Sequence, residues 1–169
     1  MKTQKPRIGH GYDLHRLEKQ HPEGPGRPFI LAGVTLEHIK GPVSHSDGDA
    51  VFHAVTDALL GALGEEDIGQ LFPDDAPEWN GEDSAIFLRE AARRVTDARF
   101  EIGNLDVTII CQKPKIGPHK GAMRQNLAKT LGTSKEDVNV KAKTHEEVDA
   151  VGEGRAVEVH AVVLLFPKA

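Results

Sequence analysis

The residues of this chain best suited to chemistry fall into five short segments. In Gly9-His10-Gly11-Tyr12-Asp13-Leu14-His15, Asp13 and His15 stand two residues apart on an extended stretch. Their side chains therefore leave the same face, about 7 Å apart at Cα, which suits two ligands of one ion. The competing reading is an ordinary strand end. A zinc site that does chemistry holds three protein N/O ligands and keeps one position open. His53 is the best third ligand, with Asp49 or Asp57 able to hold its second nitrogen. His45-Ser46-Asp47-Gly48-Asp49 lies where a helix begins, so free N–H groups and the Ser46 hydroxyl can receive a phosphate, although simple capping would need only Ser46 or Asp47.

The other segments are carboxylate-rich or basic. Asp67, Ile68, Gly69, Phe72, Pro73, Asp74 and Asp75 read as a loop whose carboxylates can bind sugar-like hydroxyls. Cys111 is followed by Lys113, Pro114, Lys115, Ile116 and Gly117, which places two ammonium groups at a strand end ahead of a helix, where α/β proteins often hold ligands. The alternative is a solvated basic loop. Ala142, Lys143, Thr144 and Glu146 close another strand with a cation, a hydroxyl and a carboxylate, and Glu146 can hold a hard cation such as Mg²⁺ against phosphate oxygens.

Hydrophobic periodicity supplies the elements that must position these groups. Strands are expected at Arg7 to Leu17, Phe29 to Leu36, Leu105 to Cys111, Val138 to Thr144 and Ala156 to Phe166. Helices are expected at Asp49 to Leu63, with Asp49, His53 and Asp57 on its polar side, at Asp83 to Ala98, and at Pro118 to Leu131. Thr133 and Glu136 read as a capping box for a short turn. The order predicts an α/β two-layer fold, a mixed sheet with helices on one face. The last strand turns Val157, Val159, Ala161, Val163 and Leu165 inward, and its second face carries Glu158, His160, Val162 and Leu164. That face is too apolar for water and too polar for a core, which a homo-oligomer would resolve.

Composition narrows the class. At 169 residues with 38% hydrophobic content, residues 1–169 are expected to form one domain. A net charge of −5 argues against a nucleic-acid or anionic-membrane binder, so any phosphate site must be local. One cysteine excludes an internal disulfide framework, and no long apolar run is present, so a cytoplasmic protein is expected.

The ordered set Gly9–His15, His45–Asp49, His53 to Gly61 with Asp57, Asp67-Ile-Gly69, Leu71–Asp74, Gly103–Ile110, Pro114-Lys115 and Asn139–Ala142 resembles the 2-C-methyl-D-erythritol 2,4-cyclodiphosphate synthase family over nearly the whole chain from Arg7. The resemblance implies a homotrimer with active sites between subunits. It implies zinc on Asp13, His15 and His53, and a magnesium or manganese ion on Glu146. His45 and Thr144 match positions that support the transition state. Asp67, Ile68, Gly69 and Asp74 match positions that bind ribose and the methylerythritol part, and Cys111 to Gly117 match the cytidine pocket.

The implied substrate is a cytidine diphosphate-linked methylerythritol 2-phosphate. Its nucleophile is already an anionic phosphate oxygen, so charge neutralisation and alignment, not a strong base, are what the site must supply before cytidine monophosphate departs. Alternatives are a zinc-dependent phosphohydrolase or a catalytically lapsed isoprenoid-binding trimer. Three departures from the family pattern bear on this. Asp75-Ala76 replaces Thr-Asp after Asp74, Lys143 and His145 flank Thr144 in place of threonines, and Glu153 and Arg155 exchange the usual order at the mouth of the trimer's central cavity, where an isoprenoid diphosphate can sit.

Overall fold

The structure is a computed structural model that describes residues 4–73 and 76–168. Its main sheet has five strands in the order β4-β1-β7-β5-β6: β1 (Arg7–Lys19), β4 (Lys40–Pro42), β5 (Phe100–Ile110), β6 (Val138–Lys143) and β7 (Ala156–Pro167). β5 and β6 run parallel and the other neighbours antiparallel, so the sheet is mixed. Helices α1 (Ala50–Leu63), α3 (Ala85–Asp97) and α4 (Lys120–Leu131) cover one face. A one-turn α2 (Ile68–Leu71) follows α1, and a one-turn α5 (Asp149–Gly152) precedes β7. The α+β architecture expected from the pattern is therefore present.

Some boundaries differ. The strand expected from Phe29 to Leu36 is broken by a turn at Ala32-Gly33, both at positive φ, into β2 (Ile30–Leu31) and β3 (Val34–Thr35), a separate two-stranded sheet. The positive φ values match the twist that a two-residue hairpin requires. Lys40–Pro42, which the periodicity does not mark, forms an edge strand, the place in a sheet that tolerates proline. Asp67 to Phe72 is not all loop, because Asp67 caps α2 by accepting from Gln70 N. The Thr133/Glu136 capping box does not form, since Ser134 takes the position before a 3₁₀ turn at Lys135–Asp137 and bonds Glu136.

The contact between β1 and α1 sets the geometry of everything near it. Gly9 and Gly11 face the helix across Ala54, Ala58 and Ala62, and a Cβ added at Gly11 would lie 1.8 Å from the Ala54 carbonyl oxygen. One at Gly9 would meet the Ala58 carbonyl at the same distance. Strand and helix backbones thus touch directly, and the alternation that puts Gly9 and Gly11 on this face puts Asp13 and His15 on it too. The buried face of β7, Val157 through Leu165, packs beneath α1 as expected.

Among the described residues, no helix packs on the opposite face of the sheet. Ile8, Tyr12, Leu14, Val162 and Phe166 are exposed there. Register places His10 opposite Val162, Tyr12 opposite His160 and Leu14 opposite Glu158. His160 bridges His10 at 3.1 Å and Glu158 at 2.8 Å.

Gly11→Ala is expected to destabilise the fold by about 3 kcal/mol or more, because a backbone oxygen cannot yield to a Cβ as a flexible side chain would. Urea unfolding of that variant checks this against Gly121→Ala in α4, where a Cβ meets nothing within 4 Å. The control is expected to be neutral or stabilising by up to about 1 kcal/mol.

Candidate metal centre and phosphate pocket

Three side chains from two elements converge. His15 Nε2 lies 3.0 Å from Asp13 Oδ2, His53 Nδ1 lies 3.2 Å from the same oxygen, and the two ring nitrogens are 3.2 Å apart. One carboxylate oxygen and two imidazole nitrogens, all within 4.8 Å of one another, form the one such group among the described residues. Three N/O donors from protein, with the remaining side facing a cavity, could hold a divalent cation and suit the pattern of a catalytic zinc site. Burial alone would push the Asp13 carboxyl up, but hydrogen bonds and charge from His15 and His53 hold it far below the usual carboxylate range. Burial pushes His53 down, and Asp13 outweighs it to give a net rise.

Local structure explains why His53 arrives there. Asp49 caps α1, accepting from Val51 N and Phe52 N at 3.1 Å each. The same carboxylate accepts from Ala32 N at 2.8 Å and Gly33 N at 2.7 Å, so the β2–β3 turn is locked to the first turn of α1. Asp49 is 0% exposed, and burial pushes its pKa up to about 6 against the pull of those donors. The expected cap at Ser46 or Asp47 is thus displaced to Asp49. Nor does Asp49 or Asp57 hold the second nitrogen of His53, because Asp57 accepts from Ile68 N at 2.8 Å instead. His53 Nε2 meets the hydroxyls of Ser84 at 2.8 Å and Ser46 at 3.2 Å. Ser84 escaped the sequence reading, and Asp47, to which Ser84 donates, figures there only within the phosphate segment and as a cap. A serine beside Asp83 at a helix start reads as a cap, and only the fold brings it under α1.

The cavity beside the cluster measures about 520 Å³ and is lined by Asp13, His15, His45, Ser46, Ile68, Gly69 and Phe72 among others. His45 Nε2 contacts the Ala76 carbonyl at 3.1 Å. Phe72, Trp79 and Phe87 form an aromatic wall, with Phe72 and Phe87 centroids 4.6 Å apart, and nothing in the periodicity marked Trp79 or Phe87 for it. Ser46 is 6% exposed, its hydroxyl occupied by His53, Ser84 and the Gly48 N–H. Pro73 is exposed. Asp74 and Asp75 lie outside the described residues.

The remaining candidate residues gather elsewhere. Cys111 is buried, with its thiol donating to the Lys113 carbonyl and pushed by burial up to about 11. Lys113–Pro114 is a cis peptide, Ile116 is buried, and Lys115 and Gly117 are exposed. Cys111 N donates to the Lys143 carbonyl at 2.9 Å, and His145 N to Gln112 Oε1 at 3.1 Å, so this loop and the end of β6 form one unit. Thr144 donates to Glu146 Oε1 at 2.8 Å, and Glu146 and Glu147 both hold positive φ. None of Cys111 to Gly117 or Ala142 to Glu146 lines the cavity. Asp13, Val159, Ile109 and Ala142 share one row, so β6 stands three strand spacings from Asp13 and its two histidines, about 14 Å.

A family model described as the YgbB family matches residues 6–166. The chloroplastic 2-C-methyl-D-erythritol 2,4-cyclodiphosphate synthase of Arabidopsis thaliana is 54% identical over 162 residues, 96% of this chain and 68% of that protein. The synthase of Pectobacterium atrosepticum is 49% identical over 162 residues, 96% of this chain and 94% of that protein. Among solved structures, a CDP complex of IspF from Plasmodium falciparum superposes with a TM-score of 0.86 at 38% identity, covering 99% of this chain and 100% of that one. The bifunctional IspDF of Campylobacter jejuni gives 0.88 at 36% identity, covering 96% of this chain and 43% of that one. With the family model spanning nearly its full length and relatives near half identical, this chain belongs to the 2-C-methyl-D-erythritol 2,4-cyclodiphosphate synthase family.

Proposed function

We propose that this chain converts 4-diphosphocytidyl-2-C-methyl-D-erythritol 2-phosphate to 2-C-methyl-D-erythritol 2,4-cyclodiphosphate with release of CMP. The observation that carries the reading is the meeting of Asp13, His15 and His53 at the wall of a cavity of about 520 Å³. Asp13, His15 and His53 would hold Zn²⁺, and Glu146 a second divalent cation, Mg²⁺ or Mn²⁺. Bound there, the cations supply Lewis-acid neutralisation of the phosphate oxygens and a template for in-line attack.

The chain's own groups do the rest. His45 and Ser46, at the approach to α1, face the substrate's phosphate. Ile68, Gly69 and Phe72 shape the cavity around the sugar alcohol, with Asp67 and Pro73 at its approach, and the carboxylates of Asp74 and Asp75 would serve as hydroxyl acceptors for the sugar alcohol. Lys143 brings a cation to the diphosphate, Thr144 orients it, and Ala142 with Cys111, Pro114, Lys115, Ile116 and Gly117 receives the cytidine. CDP is named in solved relatives, which favours a cytidine ligand here.

These two sets of groups do not share one cavity within a single chain. A homotrimer, in which the β6 end of one copy stands over the metal cluster of the next, joins them. The uncovered sheet face, with His10, Tyr12, Glu158 and His160, would then line the three-fold channel. Residues 1–169 act as one domain in this reading. At the channel mouth Arg155 pairs with Glu153 at 2.6 Å, which leaves little free charge for an isoprenoid diphosphate. No helix among the described residues is long and apolar enough to cross a membrane. The cytoplasm suits the lone buried thiol, Cys111, and a plastid is the alternative that the plant relatives' names raise.

CMP release with and without chelator tests the proposal, and phosphorus NMR of the product separates a cyclic diphosphate from the linear product of a hydrolase. His53→Ala is expected to lose zinc and to reduce turnover by more than about a hundredfold while keeping its oligomeric state. Full zinc occupancy in that variant would refute the ligand assignment. Glu146→Gln is expected to lower turnover by about tenfold or more and to shift the Mg²⁺ or Mn²⁺ requirement upward, since an amide is a poorer ligand for a hard cation. An unchanged metal dependence argues against that role. In calorimetric titration with geranyl diphosphate, the natural chain is expected to bind more weakly than a Glu153→Arg/Arg155→Glu double variant. Equal or tighter binding by the natural chain contradicts it.

A further inference from the structure

Ser84 stands immediately before α3, where a serine ordinarily accepts hydrogen bonds from the first helical N–H groups. It makes no such bond, and its own backbone is helical at φ −58 and ψ −14. Asp83 accepts from Ala85 N instead, at 2.9 Å. The Ser84 hydroxyl is fully buried and turned toward α1, 2.8 Å from His53 Nε2, while donating its proton to Asp47 Oδ1.

The Asp47 carboxylate is fixed in its turn. Oδ1 also accepts from Asp49 N at 3.1 Å, and Oδ2 accepts from Ser84 N at 3.2 Å. An ionised carboxylate can only accept. The single Ser84 proton is therefore committed to Asp47, and what Ser84 presents to His53 is a lone pair. Nε2 must then be the donor. The Ser46 hydroxyl, 3.2 Å from the same nitrogen and receiving the Gly48 N–H, offers a second oxygen on that side. A neutral ring with its proton on Nε2 has its free lone pair on Nδ1, the nitrogen that converges on Asp13 and His15.

We infer that Asp47 and Ser84 are positioning residues that act through His53, fixing the tautomer and rotation of its ring so that Nδ1 is offered to a divalent cation. The inference rests on the reading of Asp13, His15 and His53 as metal ligands. A purely structural role, tying the 45–49 loop to the start of α3, would alter stability but neither metal affinity nor the position of the ring proton.

The experiment measures zinc affinity of the full chain by competition with a chromophoric chelator. It also reads the nitrogen NMR shifts of the His53 ring in zinc-free protein, at a pH where the ring is neutral. Ser84→Ala is expected to weaken zinc binding by about 10- to 100-fold, the range typical of groups that orient a ligating histidine. Asp47→Asn is expected to do the same. Its amide must aim NH₂ either at the Ser84 hydroxyl, which would then donate to Nε2, or at the Ser84 N–H, leaving two donors face to face. In that variant the ring proton is expected to move from Nε2 toward Nδ1, the wrong-tautomer outcome known when an orienting aspartate becomes asparagine. Ser84→Thr, which keeps the hydroxyl, is expected to retain most of the affinity.

Zinc affinities in Ser84→Ala and Asp47→Asn that match the natural chain, with ring nitrogens unshifted, would overturn the inference. A loss of thermal stability without any change in the ring shifts would overturn it as well. Should the natural chain bind no zinc, the metal reading fails, and the ring shifts still decide whether Asp47 and Ser84 set the tautomer.

Discussion

The direct contact of the β1 backbone with the α1 backbone is the constraint on which the site depends. Gly9 and Gly11 on one side and Ala54, Ala58 and Ala62 on the other leave no side chain between strand and helix. A helix packed at ordinary side-chain distance would hold His53 several ångströms from Asp13, too far to share an ion. The strand period of two then carries the same face from glycine to candidate ligand, Gly9, Gly11, Asp13, His15. Close packing and the convergence of Asp13 and His15 on His53 are one geometric fact expressed at successive positions.

Electrostatics completes what packing begins. Three groups brought within 4.8 Å of one another in a half-buried corner would repel or desolvate badly if they were alike. Here the carboxylate sits between two imidazoles, and Asp13 and His53 shift in opposite directions, each favouring its charged form. The corner is thus stable without distorting its ligands, and a divalent cation can replace protons with little movement of the chain. Asp49 acts differently. It is the more deeply buried carboxylate, yet it is consumed entirely by backbone donors and holds α1 in register with the β2–β3 turn.

The contrast between these aspartates shows what was legible in the sequence. Period-two and period-3.6 patterns located the seven longer elements, β1, β5, β6, β7, α1, α3 and α4, and the spacing Asp13-x-His15 located two of the three converging side chains, because both signals are local. His53, singled out by its place on the polar side of the first helix, does meet Asp13 and His15. Which group meets the second nitrogen of His53 was not legible. Asp49 and Asp57 are its neighbours along α1, but Ser84 is 31 residues away and arrives only through the packing of α3 against α1. The break at Ala32-Gly33 failed for a related reason, since a run of apolar residues from Phe29 to Leu36 does not announce a turn that is held by Asp49 from outside it.

The sheet's topology explains why the remaining candidates lie apart. β6 joins the edge parallel to β5, so the ends of both strands emerge on the same side, and the Cys111–Gly117 and Thr144–Glu146 segments form one unit there. Lys143 shares its row with Ile110 and Glu158, on the face turned away from the helices, whereas Asp13 and His15 share theirs with buried Val159 and Val157 on the helical face. A flat sheet cannot bring side chains on opposite faces and distant strands into one cavity. The same face that points Lys143 outward also exposes Tyr12, Leu14 and Val162. The surface that no described helix covers and the Lys143 ammonium therefore belong to one side of the molecule, the side on which the proposed trimer would place another copy.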